Sequence, residues 1–592
     1  MAETKVKWFL WGKEAFKKAK AEDKPILLDV SAVWCHWCHV MDQTTYSDTA
    51  VAGLIRQKFV AIRVNRDERP DIDKRYNMGG WPTTAILTPD GDVITGATYV
   101  PPQQMKPWLE NVSRFYRNNK AKIGAETKKL ASKEVEEQTL EFNSSHELFQ
   151  SIIDNVTNDI LAGFDSAYGG FGNAPKFPHS KALSFALVEY HIHRYKALLR
   201  VAAKTLDKMS SSSIYDAEEG GFFRYSTTRN WNSPHYEKMC TDNANLLVNY
   251  LELYQVTKEG KFREVAQGIL DYVEANLRDQ NNGGFYGSQD ADEEYYTLGL
   301  PNRRKRSSPA VDKNHYTDWS ALMTSSYFFA SIVLNNPLYQ TLALQTVNLL
   351  LEKSFRPESG MFHYYLDDEQ HLPGLLSDQA SMIRCLIDAY QSTADRQFLD
   401  YAETIAHLAL ESLWNDSGAF NDRPKNAKGL GNLKRGIQPF DENSVAADAL
   451  LRLHHLTGKD AFLKAARQVL EHFASSYQRH GLMAAAYALA VELYLRPIQL
   501  RIVGSLENST TNQLWKESLK TYLPLKVIEI LDPRRDRERL AELKYPLNHA
   551  PIVYVCSAGT CLAVASPANV AETIQDLQIR NKSLNRNSGL QH

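Results

Sequence analysis

The first 117 residues alternate between amphipathic stretches and short apolar runs. Residues 11–21 place lysines on one face and apolar side chains on the other, which predicts a surface helix. Residues 25–30, 60–64 and 84–87 are apolar runs of strand length, and residues 38–59 have a helical pattern. Strands separated by helices predict an α/β domain over residues 1–117.

From residue 146 to about residue 496 the pattern is almost wholly helical and is interrupted by a repeated turn. Clear Gly-Gly-Phe copies stand at residues 169–171, 220–222 and 283–285, and degenerate copies at 360–362, 418–420 and 481–483. Each interval has room for two helices, and glycine supplies the positive φ of a chain reversal. Six such units predict a closed, all-α (α/α)6 toroid over residues 146–496, with an open helical solenoid as the alternative.

Three further segments complete the predicted multidomain organisation. Residues 118–145 are rich in Lys and Glu and predict a helical linker. Residues 497–580 contain strand-like runs at 499–503, 526–531 and 552–555 with helical spacers, which predicts a small C-terminal α/β domain. The polar tail, residues 581–592, is expected to be disordered.

Composition and charge exclude several classes of protein. The chain has 592 residues, of which 43% are hydrophobic, and its 68 basic and 70 acidic side chains argue against nucleic-acid binding by phosphate neutralisation. Six cysteines are too few for a disulfide-stapled secreted scaffold. No export signal core is visible, and no apolar stretch reaches the roughly 20 residues of a membrane span. We therefore expect a cytoplasmic protein without nucleic-acid or membrane partners.

The residues Cys35-His36-Trp37-Cys38 follow a predicted strand and open a predicted helix. Two intervening residues bring the sulfur atoms within bonding reach, and a helix N-terminus stabilises the Cys35 thiolate. An imidazolium at His36 would favour that thiolate further. This context predicts a redox-active disulfide in which Cys35 attacks a substrate disulfide and Cys38 resolves the mixed disulfide.

Two other chemistries share this spacing. With His39 included, the motif also fits c-type haem attachment, which would require export and an axial ligand. A zinc site made from the two cysteines, His36 and His39 would crowd four ligands onto one helical turn, and no second CxxC lies nearby in sequence. We therefore expect neither a metal nor a cofactor.

The motifs resemble the thioredoxin fold, and residues 35–41, 66–73 and 79–82 are similar to the thioredoxin-like domain of one family. This is the spermatogenesis-associated thioredoxin-domain family, whose members join such a domain to a six-hairpin glycosidase-like toroid. The resemblance covers nearly the whole chain and continues through residues 170–178, 235–239, 242–244, 289–292, 443–447 and the pair Cys556 and Cys561.

The resemblance implies roles for the residues around the cysteine pair. Pro82 is implied to be a cis-proline that forms the substrate-strand platform with Trp81. Asp29 is implied to be the buried acid that accepts the proton of Cys38. The alternatives are a trans-proline and a solvated aspartate. The residues expected to support the redox site are His36, Trp37, Trp81, Pro82 and Arg63.

Three aspartates stand at predicted starts of inner toroid helices, namely Asp242, Asp318 and Asp378. Helix starts at one end of a toroid converge on a central cavity, and glycoside cleavage needs two carboxylates across the scissile bond. The alternative is that each aspartate only caps its helix. Acid–base groups and aromatic rings complete the candidate toroid pocket: His235, Tyr236, Glu237, Lys238 and Trp319.

The other polar and sulfur-containing features have simpler interpretations. Asp290 and Asp292 fit an Asx-rich turn. Residues 303–306 fit a solvated basic loop, with a polyanion contact as the alternative. Cys556 and Cys561 are candidates for a second thiol pair or for resolving the first one. Cys240 and Cys385 lie in apolar helical settings and are expected to be packing residues.

The sequence favours an enzyme, a thiol–disulfide oxidoreductase whose toroid binds or orients a substrate. Its partner would be a disulfide-bearing protein or a small thiol, and the toroid would accept a carbohydrate ligand. One alternative is a role in carbohydrate metabolism, as a hydrolase or epimerase with Asp242 in acid–base work and the thioredoxin-like domain as a redox appendage. The other alternative is a non-catalytic scaffold.

Overall fold

The structure is a computed structural model that describes residues 5–140, 148–366, 368–547, 550–557 and 559–577. The predicted tail (581–592) and the end of the predicted linker (141–145) lie outside these ranges. Within them, no helix combines the length and the hydropathy that crossing a bilayer requires.

The N-terminal domain is a central sheet flanked by helices. In chain order it contains β1 (Trp8–Phe9), α1 (Lys13–Ala21), β2 (Ile26–Ser31), α2 (His36–Thr44), α3 (Thr49–Lys58), β3 (Val60–Asn65), α4 (Pro70–Tyr76), β4 (Thr83–Leu87), β5 (Val93–Ala97) and α5 (Pro102–Leu140). The strand order is β1-β3-β2-β4-β5. Strand β3 pairs in parallel with β1 and β2, whereas β4 pairs antiparallel with β2 and β5. This is the predicted thioredoxin-like arrangement.

The local chemistry explains where two helices of this domain differ from the prediction. The predicted helix at 38–59 is two helices, because the Asp48 carboxylate accepts the backbone N–H groups of Ala50 and Val51 and starts α3 there. Helix α5 has a kink at Asn119 and continues through residues 120–140, within the predicted linker.

Within the described residues, the helical region contains twelve long helices together with short helices and strands. The helices are α6 (Gln150–Gly163), α7 (Ser180–His193), α8 (Lys196–Ser210), α9 (Cys240–Thr257), α10 (Gly260–Tyr272), α11 (Glu293–Tyr296), α12 (Leu300–Arg303), α13 (Thr317–Leu334), α14 (Pro337–Ser354), α15 (Leu376–Thr393), α16 (Arg396–Ser412), α17 (Phe440–Thr457), α18 (Asp460–Phe473) and α19 (Ala485–Leu495). The strands are β6 (Tyr225–Ser226), β7 (Pro234–His235), β8 (Lys238–Met239), β9 (Ser288–Gln289), β10 (Val311–Asp312), β11 (His315–Tyr316), β12 (Phe355–Arg356), β13 (Gly360–Leu366), β14 (Glu369–Pro373), β15 (Trp414–Asn415) and β16 (Ala419–Phe420).

Six of these helices form a closed inner ring. Helices α7, α9, α13, α15, α17 and α19 each pack against the next one, and α19 returns to pack against α7. The outer helices α8, α10, α14, α16 and α18 pack on the inner helices of their hairpins, and α6 packs against α19. The helical region is therefore the predicted (α/α)6 toroid, and the open solenoid is excluded.

Three of the repeated glycine turns are hydrogen-bonded in the same way to the inner helix that follows them. At Gly220, with φ +77°, a Cβ atom would lie 2.2 Å from the carbonyl oxygen of Gly268, so no side chain fits. An Asn or Gln side chain near the start of the next inner helix then forms two hydrogen bonds with a residue that follows the turn glycine. Its amide oxygen accepts the backbone N–H of that residue, and its amide nitrogen donates to the backbone carbonyl oxygen. The pairs are Asn243 with Phe222 (2.8 and 3.1 Å), Gln379 with Met361 (2.8 and 2.9 Å) and Asn443 with Phe420 (2.8 and 3.0 Å).

The C-terminal domain is a small α/β unit, as predicted. It contains β17 (Ile498–Val503), α20 (Ser509–Lys520), β18 (Lys526–Leu531), α21 (Arg537–Glu542), β19 (Ile552–Ser557) and β20 (Thr560–Val564), with strand order β18-β17-β19-β20. Backbone N–H groups of β18 donate to Gln391 and Tyr390, near the end of α15. The N-terminal domain instead contacts the starts of inner helices, for example through Lys74 and Glu442. The two α/β domains therefore cover opposite ends of the toroid.

Candidate redox site at the toroid mouth

Cys35 and Cys38 form a disulfide at the start of α2. Their Cα atoms are 5.2 Å apart. Cys35 is the N-cap residue of α2, and its Sγ accepts the backbone N–H of Cys38 at 3.2 Å. Strand β2 ends four residues before Cys35, so the pair stands at the strand-to-helix junction that the sequence predicts.

Asp29 lies on β2 and is only 1% exposed, so the alternative of a solvated aspartate is wrong. Its carboxylate accepts Nε–H of Arg63 at 2.7 Å and the hydroxyl of Tyr46 at 3.3 Å. Burial raises the pKa of Asp29 to about 6, although Arg63 opposes the shift. A carboxyl group with this pKa can take up and release a proton near neutral pH.

The loop before β4 supplies the second side of the site. The peptide bond between Trp81 and Pro82 is cis, as the resemblance implies. Trp81 packs against the cysteine cluster, and its indole N–H donates to Asp73 at 2.9 Å. Next to the pair, Trp37 is 44% exposed and contacts the ring of Tyr99, while the His36 ring meets Trp37 edge-on.

The toroid covers the disulfide. Cys35 and Cys38 are each 4% exposed, and Met239 at the end of β8 and Trp319 on α13 pack on the same cluster. The guanidinium of Arg224 lies 4.5 Å from the ring of Trp34, which belongs to this cluster. In this arrangement a protein disulfide cannot approach the sulfur atoms, so the expected protein partner would require the domains to separate.

The three candidate aspartates lie inside the first turns of their helices. The N-cap residues of α9, α13 and α15 are Met239, Tyr316 and Leu375, so the interpretation of Asp242, Asp318 and Asp378 as N-caps is wrong. Instead, Asp378 accepts the backbone N–H of Asp318 at 3.2 Å and links two inner helices. Burial, and then the charge of Asp378, raises the pKa of Asp318.

His363 connects this carboxylate pair to the N-terminal domain. Its Nδ1 lies 3.0 Å from Asp378, and its Nε2 donates to the backbone oxygen of Asp67 at 2.7 Å. Burial opposes the charged ring, but Asp378 and Asp318 outweigh it and raise the pKa of His363 to about 9. The ring is therefore an imidazolium at neutral pH that bridges the two domains.

Two groups of side chains in the described ranges have a geometry that a metal ion could use. They are Asp318, His363 and Asp378, and Glu189, His193 and Glu492, with ligand atoms within 4.8 Å of one another. In the first group both ring nitrogens of His363 already have partners, which favours an ion pair over a metal site.

The loop before α9 divides its candidate residues between two environments. His235 pairs with Glu237 at 3.1 Å, Tyr236 stacks on Tyr296, and burial raises the pKa of Asp242 to about 6. Glu237 raises this pKa further, whereas Arg224 opposes the shift. His235, Glu237 and Asp242 therefore lie near one another at the mouth, whereas the ring of Tyr296, on which Tyr236 stacks, lies 5.2 Å from Nζ of Lys238.

Lys238 does not belong to this group. It is fully buried and donates to Asp216 at 2.7 Å and to the carbonyl oxygen of Gly220 at 2.8 Å. The neighbouring repeats contain corresponding pairs: Lys176 with Asp165 at 2.7 Å, and His315 with Asp279 at 3.4 Å. Lys238 therefore stabilises the glycine turn at Gly220 and does not line the pocket, so its assignment to the pocket is wrong.

Other polar assignments change as well. Arg303 is buried and pairs with Asp216 and Glu219, so the interpretation of residue 303 as part of a solvated loop is wrong. Asp292 caps α11 as its turn predicts, and Asp290 both accepts the N–H of Ala291 and pairs with His39 at 3.1 Å.

The remaining cysteines lie away from the redox site or in the core. Cys556 and Cys561 are bonded to each other across β19 and β20, in the domain at the opposite end of the toroid, so they do not resolve Cys35 in this structure. Cys240 and Cys385 are buried free thiols, and burial raises their pKa above the ordinary value. They are packing residues, as expected.

The sequence reasoning missed Arg224 and His363. Each is the third residue after a turn glycine, Gly221 and Gly360 respectively. The register of the copies at 220–222 and 360–362 separates the two residues by one position, whereas aligning Gly221 with Gly360, the register given by the Asn243–Phe222 and Gln379–Met361 hydrogen bonds, brings both to one position at the mouth.

Comparison with known proteins places these features in a family. The family described as "Thioredox_DsbH: Protein of unknown function, DUF255" matches residues 1–134. Over 101 residues the chain is 32% identical to the thiol:disulfide interchange protein DsbD of Vibrio vulnificus, covering 16% of this chain and 17% of that protein. A solved cellobiose 2-epimerase from Spirochaeta thermophila matches with a TM-score of 0.45 and 17% identity, over 54% of this chain and 82% of that one.

Two relatives extend over most of the chain. Spermatogenesis-associated protein 20 of Rattus norvegicus is 27% identical over 671 residues, covering 90% of this chain and 84% of that protein. An uncharacterized protein of Caenorhabditis elegans is 30% identical over 533 residues, covering 78% of this chain and 71% of that protein. With this similarity across both chains, and a thioredoxin-like domain joined to a six-hairpin toroid, the chain belongs to the spermatogenesis-associated thioredoxin-domain family.

Proposed function

We propose that the chain is a thiol–disulfide oxidoreductase that acts on a small disulfide or thiol at the junction between its thioredoxin-like domain and the toroid. The observation that carries the proposal is the Cys35–Cys38 disulfide at the start of α2, packed against Met239 and Trp319. The similarity of this domain to thiol:disulfide interchange proteins supports the reaction type. The burial of both sulfur atoms favours a small substrate, and the cytoplasm is the proposed compartment.

The reaction proceeds through two exchange steps. In the reduced enzyme the Cys35 thiolate attacks a substrate disulfide, which forms a mixed disulfide and releases one thiolate. The Cys38 sulfur then attacks Cys35, which releases the second thiolate and leaves the enzyme disulfide. Asp29, with its pKa of about 6, accepts the proton of Cys38. A dithiol reductant returns the enzyme to its reduced form.

The test is turnover of 2-hydroxyethyl disulfide with dithiothreitol as the reductant, compared with reduction of insulin. We expect the small disulfide to be the better substrate, because Met239 and Trp319 cover the pair. Cys35→Ser should lower turnover to the rate that dithiothreitol gives without protein. Cys38→Ser, reduced, freed of dithiothreitol and then mixed with the small disulfide, should accumulate a mixed disulfide on Cys35 that mass spectrometry detects.

Cys561→Ser is the matched control, because it removes a cysteine from the other disulfide without touching the site. It should retain turnover of the small disulfide. Turnover by Cys35→Ser above the rate of dithiothreitol alone would refute the proposal.

A carbohydrate-active hydrolase or epimerase is the second candidate, favoured by one observation. Asp242, with a pKa of about 6, lies near Glu237 and the His235 ring at the toroid mouth, a combination suited to acid–base work. Aryl glycosides and unsaturated uronides are the substrates to screen, and Asp242→Asn should abolish any turnover found. Unreactive cysteines together with an absence of sugar binding by calorimetry would instead support a scaffold.

A further inference from the structure

A cluster of two glutamates and one histidine lies where the last inner helix of the toroid meets the first one. Glu189 and His193 are one turn apart on α7, and Glu492 lies on α19. One ligand atom of each side chain, a carboxylate oxygen or a ring nitrogen, lies within 4.8 Å of the other two. On the same turn of α7, the ring of His191 contacts Tyr522 of the C-terminal domain. The cluster therefore lies at the end of the toroid away from the cysteine pair.

Glu189 is a buried carboxylate whose hydrogen-bonding capacity is not used. The residue is only 1% exposed, and neither of its carboxylate oxygens accepts a hydrogen bond from any residue in the described part of the chain. Leaving a buried acceptor unsatisfied costs folding free energy. Burial and the charge of Glu492 raise the pKa of Glu189, whereas Arg496 opposes the shift. The two carboxylates therefore need more positive charge between them than Arg496 supplies.

The distance between Glu189 and His193 fits a metal ion better than a hydrogen bond. Side chains four residues apart lie on the same face of a helix, and here Nε2 of His193 is 3.5 Å from Oε2 of Glu189. Hydrogen bonds between nitrogen and oxygen atoms are about 2.7–3.2 Å long. Two ligand atoms that each lie roughly 2.1 Å from a tetrahedral zinc ion are instead about 3.4 Å apart.

Glu492 can supply a third ligand without losing its present partner. It is fully buried, and the Arg496 guanidinium donates to both of its carboxylate oxygens. An ionised carboxylate has about four lone-pair positions, so each oxygen keeps one for a metal ion. Arg496 then orients the ligand, as the hydrogen-bonding partners of metal ligands do in other proteins.

We propose that Glu189, His193 and Glu492 bind one Zn²⁺ ion, which joins the first and the last inner helices of the toroid. A set that combines imidazole with carboxylates suits zinc, whereas Mg²⁺ and Ca²⁺ prefer oxygen ligands alone. Three protein ligands leave the fourth tetrahedral position to water. The site is independent of the cysteine chemistry proposed above.

Calorimetric titration of the oxidised full-length protein with zinc chloride, after dialysis against a chelator, tests this proposal. In this form both disulfides are closed and the free thiols of Cys240 and Cys385 are buried, so the cysteines do not compete for the metal. We expect saturable binding of one Zn²⁺ ion at micromolar concentrations, without competition from an equal concentration of Mg²⁺. Absence of saturable Zn²⁺ binding, or equal binding of Mg²⁺, would overturn the proposal.

Single substitutions locate the site. Glu189→Gln and His193→Gln each remove one ligand and should weaken Zn²⁺ binding at least about tenfold. Glu252→Gln is the matched control, because Glu252 is also a carboxylate of an inner helix with a raised pKa but lies outside the cluster. It should keep the Zn²⁺ affinity of the unmodified protein. Unchanged affinity in Glu189→Gln would mean an adventitious ion only and would contradict the assignment.

Thermal unfolding tests whether the ion joins the two helices. Zn²⁺ should raise the unfolding midpoint of the unmodified protein and of Glu252→Gln, because a metal that binds only the folded ring stabilises it. The same addition should leave the midpoint of Glu189→Gln unchanged. An equal rise in Glu189→Gln, or no rise in the unmodified protein, would show that the ion does not hold α7 and α19 together.

Discussion

Replacing His363 by glutamine should release the thioredoxin-like domain from the toroid in a pH-dependent way. The variant keeps a hydrogen-bond donor near Asp67 but loses the imidazolium that pairs with Asp378. The pKa of His363 is raised to about 9 from its ordinary value of 6.5. Asp378 and Asp318 lie in the toroid together with His363, so opening of the domains keeps this ion pair and breaks only the charge-assisted hydrogen bond from Nε2 to Asp67. Glutamine replaces that hydrogen bond by a neutral one, which weakens the closed arrangement by about 1–1.5 kcal/mol.

The sign of the effect follows from the direction of the shift. The hydrogen bond to Asp67 is charge-assisted while His363 is an imidazolium, and this additional strength is lost as the pH rises through the pKa of about 9. An opening equilibrium that loses about 1–1.5 kcal/mol shifts by roughly five- to tenfold. His363→Gln should therefore open more than the unmodified protein at pH 6 to 7, and about equally above the pKa of about 9.

The assay is reduction of the Cys35–Cys38 disulfide by a protein dithiol, which can reach the pair only when the toroid moves away. Its rate is proportional to the opened population when closing is fast. The ratio of the variant rate to the unmodified rate cancels the intrinsic pH dependence of the reductant. His407→Gln, an exposed histidine on α16, is the control and should give a ratio near unity.

Two results would refute this reasoning. One is a ratio near unity for His363→Gln at pH 6, which would mean that the imidazolium does not hold the domains together. The other is a large ratio that does not change with pH, which would mean that the effect comes from packing rather than from charge.

Two further predictions concern buried charges. Asp29→Asn should stabilise the fold at neutral pH by up to about 3 kcal/mol, because the pKa of Asp29 is raised from 3.8 to about 6 and a charged Asp29 is unfavourable there. Urea unfolding should show this gain disappear below pH 3.8, and a pH-independent difference would contradict it. Lys238→Met should lower the free energy of unfolding by about 2 kcal/mol or more, because Asp216 loses a buried partner. Lys208→Met, at an exposed position on α8, should change the free energy of unfolding little, and equal effects of the two substitutions would disprove the structural role of Lys238.

Local patterns predicted the elements that depend on local chemistry. The apolar run at 526–531 matches β18 (Lys526–Leu531), and the glycine turns predicted the hairpins, because positive φ is a property of single residues. Strand β1 (Trp8–Phe9) and strand β5 (Val93–Ala97) were not predicted. The first has two residues, and the second contains Gly96, so neither has a strand pattern of its own.

The sequence predicted those parts of the candidate site whose geometry depends on residues close together in the chain. Cys35 and Cys38 lie three residues apart, so one helical turn decides their geometry. Lys238 and His363 are different, because their partners Asp216 and Asp67 are 22 and 296 residues away. A charged residue has the same appearance in sequence whether it faces a cavity or neutralises a buried turn, and only the folded chain distinguishes the two.

The contact between α19 and α7 closes the ring, and this contact can form only late in synthesis of the chain. The last inner helix of the toroid (Ala485–Leu495) is made some 300 residues after the first one (Ser180–His193), yet these two helices seal the ring. While the ribosome is still adding residues between them, the incomplete ring exposes a helix face that has no neighbour. Truncated products that stop before Ala485 should therefore aggregate or recruit chaperones, whereas the N-terminal sheet is complete long before that point.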